Sequence, residues 1–257
     1  MGFLHQGHIS LIKNSNSECD FTVVSVFVNP AQFAPNEDFN MYPRDIERDK
    51  KLLIQNEVDV LFLPPEKEIY GKNFQTYVEV EELSKILEGK YRPLHFRGVS
   101  TIVSILLNSV KPDVAFFGQK DAQQAAIIKR MVSDLKSDVE IKACPIVREN
   151  DGLAMSSRNS YLSAKERKDA LVLYKSLNHA KQLIENGERK SNTLIAEMKE
   201  IINKVKTSNP DYIEIVEADS FKIIENLKKG KEYYILIACR IGSTRLIDNL
   251  KIKITAP

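Results

Sequence analysis

The sequence predicts an α/β protein, a doubly wound parallel sheet followed by a smaller α+β C-terminal domain. Three observations carry this. Apolar, β-branched runs recur at 21–28, 58–63, 113–117 and 138–147, the pattern of strands buried on both faces. Helical stretches separate them, which argues for parallel pairing. From about residue 163 the alternation stops, and three strand-like runs follow two long charged helices. The change of pattern places a domain boundary between about 146 and 160, giving domains 1–147 and 148–257.

The chain has 257 residues, 43% hydrophobic and 28% charged, with a net charge of +2. That length supports one or two domains with a sizeable core. The charge is too small to argue for nucleic acid or an anionic membrane as partner. No apolar run reaches the length of a membrane span. Cys19, Cys144 and Cys239 are odd in number and scattered, so buried free thiols in a cytoplasmic setting are expected, and no Cys/His pair has zinc spacing.

The elements follow in order. Gly2 and Gly7 flank His5 and His8 in an opening turn, and a helix is expected over 8–18. Unpaired N–H groups at a helix start seat phosphate. Residues three apart share a face, so His5 and His8 point at one ligand, where imidazole donates to phosphate oxygens. The spacing alone also suits a solvated polar segment. The strand at 21–28 ends in the polar turn Asn29-Pro30-Ala31-Gln32-Phe33, at the strand end where open sheets bind ligands. Gln32 offers a donor and an acceptor there, as a solvated loop glutamine also would.

Residues 34–42 read as a loop, with Pro43 opening a helix over Arg44–Glu57. A strand at 58–63, a second near 75–80 and a short helix at 81–88 follow. Tyr91–Gly98 is a basic loop whose Arg92, His95 and Arg97 suit an anion or simply water, and a helix spans about 99–110. After the strand at 113–117, Gly118, Gln119, Lys120, Asp121 and Gln124 cluster at a strand end and helix start. Lysine there neutralises phosphate and aspartate accepts from ribose; the dipole equally favours such an acid. The loop 148–159 joins a glycine to Ser156, Ser157 and Arg158, donors suited to a polyphosphate. Helices at about 163–186 and 191–206 lead to strands at 212–217, 233–239 and 244–254.

Taken together these motifs resemble the pantoate–β-alanine ligases, members of the nucleotidyltransferase superfamily with HIGH-type motifs. The resemblance rests on Met1–His8, Val28–Phe33, Glu37–Phe39 with Tyr42–Arg44, and the runs beginning at Arg92, Phe117, Asp151 and Arg245. It implies a Rossmann-like first domain and a C-terminal lid. It also implies a two-step reaction: pantoate and ATP give a pantoyl adenylate and pyrophosphate, and β-alanine then releases pantothenate and AMP. Carried over by position, His5, His8, Lys120 and Arg158 are catalytic, with His8 the favoured proton donor. ATP falls to Met1, Gly2, Phe3, Leu4, His5, Gln6, Gly7, His8, Gly118, Gln119, Lys120, Asp121, Val147, Met155, Ser156, Ser157 and Arg158. Pantoate and β-alanine fall to Asn29, Gln32, Arg92, His95 and Gln124. Mg2+ shares the triphosphate charge, its protein ligands left open. A cytoplasmic homodimer is implied.

Two departures stand out. Leu94 replaces a usual glycine, which is expected to crowd the pocket edge or stiffen the loop. The family also carries a lysine-rich helix and a buried strand before the Met-Gly motif, so the sequence is expected to be a shortened reading of its gene. A chain truly starting here is expected to be less stable and a poor ligase. Rival readings are another adenylyl- or cytidylyltransferase, or a nucleotide-binding remnant without catalysis. Dinucleotide and P-loop fingerprints do not occur.

Overall fold

The computed structural model describes residues 1–35 and 37–255. Residue 36 of the expected loop and residues 256 and 257 of the expected second domain lie outside them. The chain divides into two compact units, Met1–Val147 and Arg148–Pro257.

The first unit is α/β. Helix α1 (Gln6–Glu18) leads into strand β1 (Val23–Ser25). Helix α2 (Ile46–Gln55) leads into β2 (Val60–Phe62), and β1 and β2 pair in parallel with Val24 beside Leu61. After the single turns α3 (Glu66–Ile69) and α4 (Glu88–Tyr91), the long helix α5 (His95–Val110) reaches β3 (Val114–Gly118). Helix α6 (Ala122–Asp134) then returns the chain to β4 (Glu140–Cys144), parallel to β3. The expected doubly wound sheet is therefore present as two parallel pairs. Met1 lies beside β1, its amine donating to Ser25 O at 3.0 Å and its carbonyl accepting from Phe27 N at 2.9 Å. No strand among the described residues joins the two pairs.

Two apolar clusters sit under these elements. Leu4, Ile9, Ile12, Val24, Val26 and Leu53 bury α1 and α2 against β1. Val99, Ile102, Val103, Ile128 and Met131 join α5 to α6.

Several elements differ from expectation, each for a visible reason. The first helix starts at Gln6 because His5 caps it. Pro43 does not open a helix; Asp45 does, accepting from Arg48 N at 3.0 Å, as a short acid at that position should. The first two strands are three residues long and not buried on both faces: Phe21, Val60 and Leu63 are exposed. The expected strand at 75–80 is irregular, since Val78 N–H is taken by Thr101 Oγ1 at 3.0 Å rather than by a ladder. The expected helix at 81–88 is a series of turns. Gln123 captures the carbonyls of Leu83 and Ile86, both at 2.8 Å, that a helix would have used.

The second unit is α+β. Helices α7 (Ala164–Asp169), α8 (Leu171–Glu185) and α9 (Ser191–Asn203) precede the antiparallel strands β5 (Ser208–Glu217), β6 (Glu232–Ile241) and β7 (Thr244–Lys253). The expected single helix at 163–186 breaks at Ala170, which is fully buried and steps at ψ −23°. Strand β5 begins earlier than expected and carries Pro210 at a register shift beside Tyr212, where its missing N–H does no harm. Leu173, Leu177, Met198, Ile215, Ile235 and Ile237 lie at the centre of its core. The three cysteines are free thiols, Cys144 and Cys239 buried and Cys19 partly so.

Candidate active site

The opening turn is built around two imidazoles. His5 occupies the cap of α1, and its Nδ1 accepts from Gly7 N at 3.1 Å. His8, one turn on, accepts from His5 N at its own Nδ1, 3.2 Å away. The rings lie 4.0 Å apart. With each Nδ1 committed as an acceptor, the neutral proton of each ring sits on Nε2. Burial, then the charges of His5, the Met1 amine and Lys120, hold His8 well below the usual histidine range. At neutral pH His8 therefore acts as an uncharged Nε2–H donor. The helix-start amides expected to face phosphate are partly spent, since Gly7 N binds His5 and His8 N binds His5 O at 2.8 Å.

Around the turn, Gly2 is buried, and a Cβ there would meet Val28 Cγ2 at 3.3 Å. Phe3 stands at φ 49°, Leu4 is fully buried, and Gln6 is exposed. Lys120 lies in the short turn Gln119–Asp121 that follows β3, its ammonium 4.0 Å from Asp121. Its charge is the least of the contributions that lower the His8 pKa. Gly118 ends β3, and Gln124 lies half-buried in the first turn of α6. Val147 closes the first unit.

The Gln32 turn is a second constellation in the same unit. Asn29 is buried; it accepts from Tyr70 Oη at 2.7 Å and donates to Gly98 O at 3.0 Å and Gln32 Oε1 at 3.4 Å. Its polar atoms are thus occupied within the protein, and what it orients is the Gln32 amide. Burial pushes the Tyr70 phenol up to about 12, so it remains a donor. Helix α5 presses closely here: a Cβ on Gly98 would stand 2.2 Å from Ala31 O.

Arg92 and His95, expected to meet the substrates, brace this turn. Arg92 forms a two-pronged pair with Glu37, at 2.8 and 2.7 Å, and reaches Gln32 O at 3.3 Å. Burial would raise the Glu37 carboxyl, but the Arg92 hydrogen bond and charge outweigh it and hold it low. His95 Nδ1 donates to Gln32 O at 3.0 Å, leaving Nε2 to accept from Arg92. Burial and the adjacent guanidinium lower its pKa to about 4. Arg97 lies over the Tyr77 ring at 3.9 Å. Leu94 strains nothing, with ordinary right-handed backbone at φ −99° and a side chain 61% exposed.

In the second unit, residues 148–154 form a hairpin in which Arg148 bridges Ala154 and Glu149 N donates to Leu153 O at 2.8 Å. Gly152 supplies its left-handed corner at φ 99°, against the Tyr174 ring. Met155 is half-buried, and Ser156 caps the turn Ser157–Tyr161 through Arg158 N. The acids of this loop share one guanidinium: Arg167 holds Glu149 at 2.6 Å and Asp151 at 2.9 Å. Arg148 grips Asp248 by two bonds of 2.7 and 2.9 Å and lies over the Tyr174 ring at 4.5 Å.

Three supporting residues carry no role in the sequence reading: Asp49, Asp248 and Arg167. Two had a detectable signal. Asp49 shares the apolar face of α2 with Ile46 and Leu53, and Asp248 takes an inward register in β7. A charge at an apolar position is unusual enough to require a partner.

Among the described residues no group of three or more His, Cys, Asp or Glu is arranged to hold a metal ion.

A family model described as pantoate-beta-alanine ligase matches residues 1–251. A pantothenate synthetase of Caldicellulosiruptor saccharolyticus is 54% identical over 254 residues, covering 99% of this chain and 90% of the relative. One from Thermosipho africanus is 54% identical over 97% of this chain and 89% of its own. The crystal structure of the pantothenate synthetase of Thermus thermophilus superposes with a TM-score of 0.94 at 42% identity, covering 98% and 91% of the two chains. A pantoate–β-alanine ligase from Francisella tularensis, solved with a β,γ-ATP compound and β-alanine, gives 0.77 at 37% identity, covering 97% and 86%. The motif order, the fold and these matches agree: the chain belongs to the pantoate–β-alanine ligase family.

Proposed function

We propose that the imidazole turn and Lys120 form the ATP-phosphate site of this chain and that the Gln32 turn receives pantoate. The chain is a ligase that condenses pantoate with β-alanine at the expense of ATP. The observation that supports the site assignment is the pair of adjacent imidazoles, 4.0 Å apart, each with Nδ1 held as an acceptor at the start of α1. Such donors cannot turn away from an anion, which makes them preorganised electrostatics.

In the first step an oxygen of the pantoate carboxylate attacks the α-phosphorus, and the bond to the bridging oxygen breaks. Pyrophosphate leaves carrying the electron pair. Donation from His5 and His8 Nε2–H and the Lys120 charge disperse the growing negative charge. Gln32, with its amide oriented by Asn29, and Gln124 bind the pantoate hydroxyls and carboxylate. Asp121 and the backbone of Gly118 and Val147 serve ribose and adenine.

In the second step the β-alanine amine attacks the acyl carbon. AMP departs, and the amine proton is lost to solvent or phosphate. Ser156, Ser157 and Arg158 add hydroxyl and guanidinium donors for the triphosphate, and the 149–159 loop is the edge of a lid that keeps water from the acyl adenylate. Mg2+ enters with ATP as part of the substrate. The enzyme works as a cytoplasmic homodimer.

Incubation with pantoate, β-alanine and Mg2+-ATP, quantifying AMP and pantothenate, tests the reaction. Equal AMP and pantothenate, both dependent on β-alanine, are expected. Near-normal turnover in both His8→Ala and Lys120→Ala would reject the site assignment. Sedimentation of the purified chain tests the dimer.

A further inference from the structure

The opening turn has an unusual backbone. Phe3 stands at φ 49°, in the left-handed region that a bulky side chain rarely adopts. Such a conformation persists only when its surroundings impose it. Here the imposing groups come from two consecutive residues of α2. Asp49, 1% exposed, accepts from Leu4 N through Oδ1 at 2.7 Å. Arg48 donates to Leu4 O at 2.8 Å and lays its guanidinium over the Phe3 ring at 4.8 Å. The two side chains lie 3.6 Å apart. Both polar atoms of Leu4 are therefore held from α2, immediately before His5.

We propose that Asp49, assisted by Arg48, is a positioning residue for the ATP-dependent step, fixing the Phe3–Leu4 backbone that aims the two imidazoles. The inference rests on the assignment of His5 and His8 to the ATP phosphates. Leu4 itself is fully buried, so its N–H has no water to turn to when the carboxylate is removed. Relaxation of the turn toward ordinary dihedrals rotates the cap residue, and the Nδ1 contacts that lock both rings are lost with it. Neither Asp49 nor Arg48 needs to touch a substrate for this.

The test compares Asp49→Ala, Asp49→Asn, Arg48→Ala, His8→Ala and Leu52→Ala. Leu52 lies on the same helix, partly buried in the same cluster, and its variant gauges the effect of lost stability alone. Pantoate-dependent exchange of pyrophosphate into ATP isolates the first step. Asp49→Ala is expected to lower its kcat by roughly tenfold or more, as misplacement of donors by about an ångström does. The KM for β-alanine in the full reaction should change less than about twofold, because the second nucleophile does not use the turn. Asp49→Asn keeps an acceptor for Leu4 N–H and should recover to within about threefold of wild type.

Retention of exchange by His8→Ala removes the site assignment itself. Loss in His8→Ala with Asp49→Ala unchanged overturns only the positioning role. So does a fall in Asp49→Ala no greater than in a Leu52→Ala variant of equal melting temperature. Where Asp49→Ala fails to fold, Arg48→Ala at a half-exposed site decides: a loss of about threefold or more supports the inference, and an unchanged kcat sinks it.

Discussion

The imidazole turn of the first unit and the serine–arginine loop of the second present donors of the same chemical kind, yet they are held by different physics. The turn is held by backbone N–H groups donating to side chains: Leu4 to the buried Asp49, and His5 to His8 and Gly7 to His5 at partly buried positions. Burial keeps the His8 imidazole neutral. The loop is held by guanidinium–carboxylate pairs, Arg148 with Asp248 and Arg167 with Glu149 and Asp151. The Arg167 hydrogen bond is the main reason that the Asp151 carboxyl lies low. A rigid seat suits an atom that must sit in line with the reacting phosphorus. A segment fixed by charge pairs with partly exposed guanidiniums suits the lid edge proposed for it.

The largest effect that separates the two regions is expected at Lys120. Replacing it by alanine removes a fixed cation from the transition state and should lower kcat for adenylate formation by about 10²–10³, with little change in melting temperature. Parallel loss of stability and activity would turn Lys120 into a structural residue. Next comes Asp248→Ala. It leaves Arg148 without its carboxylate in a site where Asp248 is almost fully buried and Arg148 one-fifth exposed. Breaking such a pair destabilises by roughly 2–3 kcal/mol, discounted from the fully buried value for the partial exposure of the arginine. Denaturant unfolding should show that loss, and the KM for ATP should rise while the KM for pantoate stays flat. Equal rises in both would erase the proposed division of labour.

Which parts of this were legible in the sequence follows the same divide. Groups that carry charge or tautomeric chemistry can be picked out as candidates by type and order, as His5, His8, Lys120 and Arg158 are. The alternation of apolar runs likewise marked the α/β character of the first unit and the α+β character of the second. The groups that hold the donors are ordinary acids and arginines whose partners lie far along the chain. Asp248 is 100 positions from Arg148, and Asp49 is 45 from Leu4. Nothing local encodes those pairings. Local propensity also failed wherever a tertiary side chain took a backbone group. Thr101 did so at the expected strand near Val78, and Gln123 at the expected helix before Glu88. Arg92 and His95 look like anion ligands in sequence, and their contacts to Glu37 and Gln32 were not legible there.

Gly98→Ala sharpens the comparison from the pantoate side. The added methyl would stand 2.2 Å from Ala31 O and 2.4 Å from its carbonyl carbon, so α5 or the Gln32 turn must shift. Overpacking of this kind destabilises by about 1–3 kcal/mol. The KM for pantoate should rise while the exchange reaction at saturating pantoate keeps most of its rate. An unaltered pantoate KM would detach the Gln32 turn from substrate binding.

The smallest effect is a pH dependence, and its sign is fixed by His95. In the folded chain its pKa is about 4, against 6.5 for the free side chain, because burial and the Arg92 charge both oppose protonation. Between those values the unfolded chain binds more protons than the folded one, so stability rises with pH across that window and falls as the medium is acidified. From pH 7 to 5.5 the loss from this one group is about 1 kcal/mol. Protonation would also place a proton on Nε2, where the ring now accepts from Arg92, and the imidazolium would face a guanidinium across 3.3 Å. The brace on Gln32 O should therefore loosen on the same side of neutrality. Unfolding free energies of wild type and His95→Gln at the two pH values isolate the contribution, since the amide cannot titrate. A wild-type slope no steeper than that of the variant would mean that His95 is already solvated, and the brace on the Gln32 turn would then be as soft as the charge-held loop of the second unit.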